Sequence, residues 1–449
     1  MLGIFTLIGI SIVLLSVSTG IFGRFYNPVT LYGMPFMICT LLASAGLFGI
    51  YRPSETTLLV VSFSIVGFVV GAVVSIGLFT SNRFNNTKRF NDDITKKTTS
   101  TNQVMVALCI IATLLSFFYL SRTIPLLLAG QGLETIKFQY SNAEGATLFS
   151  TKELLLFQWV IIPIYHISFI VFSYDLSRMV LNKIALFFSI VGMAVIILVS
   201  GGRNSVFVFL VICMMGLFCS KNRKTIWILI KSLPLTVKVA AIVGVLVLIY
   251  ITQERSLSTD AGVLENVFFY FAGAIRYLDY ILANPDTFSI GDELFYGRAF
   301  LGFLINPIDI LCSFIFGYDY QGTDTLVSTA ASLYIPFSDD ISGNALCTSI
   351  YPFIRDFGPV GVFIGPALYG FLSSFVWNKA FPKRGEGSFF WKCIWIYFAY
   401  CLVFSEWRYT LIFPTTGIAF FLIAIVFCGN RKKYLTCTVK RKDMHIDQD

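Results

Sequence analysis

This sequence predicts an all-α polytopic membrane protein with about eleven transmembrane helices, on three observations. Of its 449 residues, 56% are hydrophobic and only 13% charged, against roughly a quarter charged in a soluble domain. The apolar residues fall into runs of about 20, the length that crosses a hydrocarbon core of about 30 Å. Basic residues collect in alternate segments between those runs, as they do in cytoplasmic loops. The formal net charge of +8 resides mostly in those segments, which argues against nucleic acid as a partner.

In order, the spans fall near residues 2–20, 29–50, 57–80, 103–121, 154–173, 183–200, 204–220, 235–252, 358–378, 388–405 and 409–428. The first run has no basic n-region and no small-residue cleavage site, so it reads as a helix rather than a cleaved signal. Ile226–Leu233 is apolar but short and broken by Lys231, which suits an interfacial piece. The organisation is therefore a membrane domain of eight helices (1–252), a large loop (253–357), three more helices (358–430) and a basic tail (431–449). Within the loop, Leu264–Ala283 and Ala299–Tyr318 are nearly long enough to span. The first is broken by Glu265, Arg276 and Asp279, the second by Asn306, Pro307 and Asp309. They are expected to lie flat in the interface or to dip back into the protein.

Alternate connecting segments and the tail hold 23 of the 33 basic residues. The positive-inside rule then sets the N-terminus outside, the C-terminus in the cytoplasm and the large loop outside. On the cytoplasmic side Lys outnumbers Arg by fifteen to eight; outside, Arg outnumbers Lys by eight to two. Lys suffices as an orientation signal, whereas the rigid fork of Arg grips phosphate oxygens in pairs. The competing reading is that these Arg snorkel at the interface or pair with nearby carboxylates.

Three short segments place an outer Arg before a helix. Ser200-Gly201-Gly202-Arg203-Asn204-Ser205 makes a tight turn in which Asn204 or Ser205 can cap the following helix. Arg355-Asp356-Phe357-Gly358-Pro359 and Glu406-Trp407-Arg408 precede the ninth and eleventh spans. An Arg at the positive end of a helix calls for a shared anion, either a ligand or a carboxylate such as Asp356 or Glu406. Those two carboxylates are otherwise candidates for a general base. His166, one of two histidines, lies in the fifth span. It is expected in the inner half, away from an outer site and hydrogen-bonded to a neighbouring helix. The ten Cys form no C-x-x-C pair and no Cys/His cluster, so neither a metal nor any other cofactor is expected. Cys312 and Cys347 share the loop and are expected as free thiols.

The Ser200–Ser205 turn, Asn344 and Tyr351-Pro352-Phe353-Ile354-Arg355-Asp356-Phe357-Gly358-Pro359-Val360-Gly361 together resemble the Wzy-type oligosaccharide repeat-unit polymerases of bacterial O-antigen and capsule synthesis. The likeness extends to the helix count, the late outer loop and the basic tail, an architecture similar to GT-C-like membrane glycosyltransferases. It implies a multi-pass enzyme of the bacterial inner membrane with an extracytoplasmic active face. Donor and acceptor would both be glycans on undecaprenyl pyrophosphate, surrounded by membrane lipids, with a chain-length regulator and a flippase as candidate partners. The family's functional arginines map onto Arg203 and Arg355. Position and charge add Arg276, Arg298 and Arg408 as pyrophosphate-binding candidates, and Asp356 and Glu406 as catalytic ones. Two other classes compete. An O-antigen ligase would use a histidine in its outer loop, which this chain lacks. A lipid-linked glycan transporter would show internal repeats and broken helices, and neither is evident.

Overall fold

Each expected span that falls on described residues overlaps a helix, though the bounds differ: the second helix ends at Ala45 and the last starts at Pro414. The computed structural model describes residues 2–81, 103–140, 148–178, 180–202, 204–219, 231, 238, 263–290, 294–344, 347–382 and 388–428. The eighth expected span (235–252, apart from residue 238), Arg203 and the tail lie outside the described residues. The N-terminal half contains α1 (Leu2–Phe22), α2 (Pro28–Ala45), α3 (Glu55–Ser81), α4 (Gln103–Leu128) and the short α5 (Leu133–Tyr140). It continues with α6 (Thr151–Ser177), α7 (Lys183–Ser200) and α8 (Asn204–Phe218). The large loop folds as α9 (Val263–Ala283), α10 (Gly302–Phe316), α11 (Thr323–Ala331), a two-residue hairpin and α12 (Ile350–Phe357). The chain closes with α13 (Gly361–Ala380), α14 (Phe389–Val403) and α15 (Pro414–Cys428).

The protein is thus an all-α polytopic membrane protein, its only described strands being that hairpin. Among the described residues seven helices are long and apolar enough to cross a membrane. Apolar side chains such as Phe63 and Val74 on α3 and Phe117 on α4 remain exposed on the outside of the bundle, as lipid-facing residues do. Small residues let helices approach where no water is present to drive them together. The α3–α13 seam shows this: a Cβ on Gly71 would lie 1.7 Å from the Ala367 carbonyl oxygen. Any larger residue there would have to separate the two helices.

Connecting segments meet at two ends of the bundle. At one end Arg24 reaches the Cys219 carbonyl at 3.5 Å and stacks on Phe381. At the other, the Tyr51 amide donates to Phe337, Trp407 Nε1 donates to Tyr270, and Gly201 packs on Leu133. The large loop therefore lies against the α2–α3 and α14–α15 connections, and not as a separate domain, while the α7–α8 connection packs on α5.

Candidate active site

A cavity of about 320 Å³ opens at that second end, where α6, α7, α8, α14 and α15 converge. Its walls bring together the Ser200–Ser205 turn and Arg408, stretches more than two hundred residues apart in sequence.

The turn holds its shape for local reasons. Gly201 has φ +60°, and a Cβ there would meet the Leu133 carbonyl at 2.4 Å, so glycine serves both backbone and packing. Ser200 Oγ donates to Ile196 and accepts from the Gly202 amide at 3.1 Å. The first turn of α8 then faces the cavity through Asn204 and Ser205, bringing the positive end of a 15-residue helix to the wall. Of the two expected caps, Asn204 or Ser205, the second is not seen to act as one: among the described residues the Ser205 Oγ is buried without a hydrogen-bond partner. It lines the cavity and can receive a ligand's hydrogen bond or give one.

Arg408 is positioned by the large loop. Its backbone pairs with Cys347 and its amide donates to Phe404 at 2.8 Å. On either side, Trp407 is tied to Tyr270, Tyr409 Oη donates to Phe300 at 3.0 Å, and Asn306 donates to Ile412 at 2.7 Å. The guanidinium lies 5.2 Å over the Phe413 ring. Among the described residues no carboxylate pairs with it, and none lines the cavity. Thr415 and Thr416, in the first turn of α15, also reach the wall. One guanidinium and two positive helix ends with no counter-charge make an anion site.

The other candidates lie elsewhere. Arg276 pairs with Asp279 at 2.5 Å. That carboxylate is held below the usual range: burial raises it, but this is outweighed by hydrogen bonds from Ser54 and Thr57 and by the Arg276 charge. Arg298 pairs with Asp309 at 2.9 Å. Arg355 donates to the Phe288 carbonyl at 3.0 Å and stacks on Phe295. It occupies the last turn of α12, so it sits at a negative helix end and not the positive one the sequence suggests. Asp356, the candidate base beside it, accepts from the Ala299 and Phe300 amides at 2.9 and 2.6 Å. Glu406 is fully buried next to Cys39 of α2 and does not line the cavity. Cys312 and Cys347 are both free thiols.

His166 stands differently from its expected place. It lines the same cavity as Arg408, its Nδ1 3.0 Å from Tyr397 Oη on α14. The hydrogen bond to a neighbouring helix is there, but the cleft reaches deep enough beside α6 to include it. Depth along one helix is readable from a hydropathy ruler; depth of a cleft between five helices is not. Gln158 and Tyr140, 3.2 Å apart, were also missed as wall residues. Gln158 sits in a single π-helical turn, Phe157–Ile161, a distortion common at functional sites.

Compared with known proteins, the chain matches no family model, no curated protein and no solved structure.

Proposed function

We propose that the chain is a membrane glycosyltransferase that joins undecaprenyl-pyrophosphate-linked repeat units into bacterial O-antigen or capsule, on the extracytoplasmic face of the inner membrane. The observation that carries this reading is the cavity around Arg408, lined by no carboxylate among the described residues, with the first turns of α8 and α15 in its wall. A growing glycan leaves its carrier as negative charge gathers on the pyrophosphate. Fixed positive groups aimed at that charge lower the barrier without reorganising. Arg408 is the pyrophosphate ligand, joined by Arg203, which falls between the wall residues Gly202 and Asn204 in the sequence. Arg276, Arg298 and Arg355 shape the loop that holds Arg408 in place. No nucleotide sugar enters this chemistry, since the sugar is already activated by its lipid pyrophosphate.

One observation favours a second reading, an O-antigen ligase. The absence of an outer-loop histidine separates the two only if no histidine reaches the site, and His166 does line the cavity. Sizing the glycan in a strain lacking this protein distinguishes them. A ladder collapsed to single repeat units supports the polymerase. Long polymer stranded on its lipid carrier supports the ligase, and repeat units trapped on the cytoplasmic leaflet would replace both with a transporter.

A further inference from the structure

Among the described residues the carboxylates offer the proposed reaction no proton acceptor, because none lines the cavity and Asp356 is committed to two backbone amides. His166 supplies one: its Nδ1 lies 3.0 Å from Tyr397 Oη on α14. In the tautomer whose Nδ1 donates to that hydroxyl, Nε2 keeps its lone pair. Among the described residues Nε2 has no hydrogen-bond partner, and the ring lines the cavity.

We infer that His166 is the proton acceptor of the site, with Nε2 receiving the proton of the attacking sugar hydroxyl and Tyr397 fixing the tautomer as a positioning residue. This rests on the glycosyl-transfer reading above. The acceptor oxygen bonds to the anomeric carbon of the donor as the bond from that carbon to phosphate oxygen breaks. The electron pair leaves with the pyrophosphate, and the hydroxyl proton passes to Nε2 and then to the departing pyrophosphate. Among the described residues the charged group acting on His166 is Arg408, and the other titratable wall residues are Tyr397 and Tyr400 from α14 and Tyr140 from α5, while α7, α8 and α15 bring only neutral side chains and α4 brings none.

The test uses the full-length protein in lipid vesicles with a lipid-pyrophosphate-linked repeat unit. His166→Asn keeps an N–H for Tyr397 but has no group at the Nε2 position. It should lower the polymerisation rate by about 10²-fold or more and abolish the acid limb of the rate–pH profile. His166→Ala should regain rate on addition of imidazole. Because the chain has only 2 His, nitrogen NMR of the labelled protein reads the tautomer independently of activity, with His166→Asn as the assignment control. An Nδ1–H tautomer that is lost in Tyr397→Phe is expected. An Nε2–H tautomer, or His166→Asn at the full rate with its acid limb intact, would overturn the inference. A wild-type protein that makes no polymer would overturn the function reading and the acceptor role with it, while the tautomer is still decided by the spectrum.

Discussion

The arginines at the loop-bearing end of the molecule divide into two groups that differ in what surrounds them. In the large loop, Arg276 and Arg298 each hold a carboxylate, and Arg355 is fixed on a carbonyl and a ring. At the bundle, Arg408 has an aromatic ring beneath it and among the described residues no carboxylate within ion-pair distance; it faces a cavity shared with the first turns of two helices. A loop arginine with a protein partner ties the loop together. A guanidinium whose neighbours are all neutral or positive is arranged for an anion that comes from elsewhere.

The comparison can be broken most easily at Arg408. Arg408→Ala should lower glycan transfer by about 10²–10³-fold, the usual cost of removing a group that stabilises developing negative charge. Membrane levels should stay normal; a rate within a factor of three of wild type would dissolve the contrast. Asp356→Ala should act on the other group, leaving the Ala299 and Phe300 amides unpaired in a buried site. The expected cost is about 2–4 kcal/mol, read as earlier thermal unfolding, with the rate per folded molecule preserved. A folded, stable Asp356→Ala without activity would instead return Asp356 to the chemistry.

Smaller effects sharpen the picture. Asp279 has its folded pKa below its unfolded value. Its contribution to stability is therefore complete above the unfolded value and disappears as pH falls through the lowered folded one. Acid unfolding followed by circular dichroism should move to higher pH in Arg276→Ala, because the carboxylate then loses one of the groups that hold it ionised. An unchanged midpoint would mean that Ser54 and Thr57 suffice. Arg298→Ala removes an ion pair whose side chains are 52% and 31% exposed, so less than about 1 kcal/mol is expected in the same assay.

Much of the helical fold was legible because hydropathy alone dictates it. Spans read at 103–121 and 154–173 became α4, ending at Leu128, and α6, starting at Thr151. Their polar ends, such as Arg122 and Glu153, extend past the apolar run and pair with each other at 3.0 Å. The Gly201 turn was legible too, since few residues other than glycine tolerate its backbone. Partnership was not legible: Arg276 and Arg408 both read in the sequence as arginines of outer segments near a carboxylate. Asp279 lies one helical turn from Arg276 and meets it, whereas Glu406, two residues before Arg408, turns away to Cys39. His166 was misplaced because a cleft is a property of five helices together, and no periodicity within one of them encodes its depth.

The most direct test of this account sizes lipid-linked glycan in a strain lacking the protein, complemented with either Arg408→Ala or Arg298→Ala at equal membrane levels. Single repeat units are expected for Arg408→Ala and a full ladder for Arg298→Ala. A full ladder from Arg408→Ala would contradict it and move the search for the site back to the arginines of the loop.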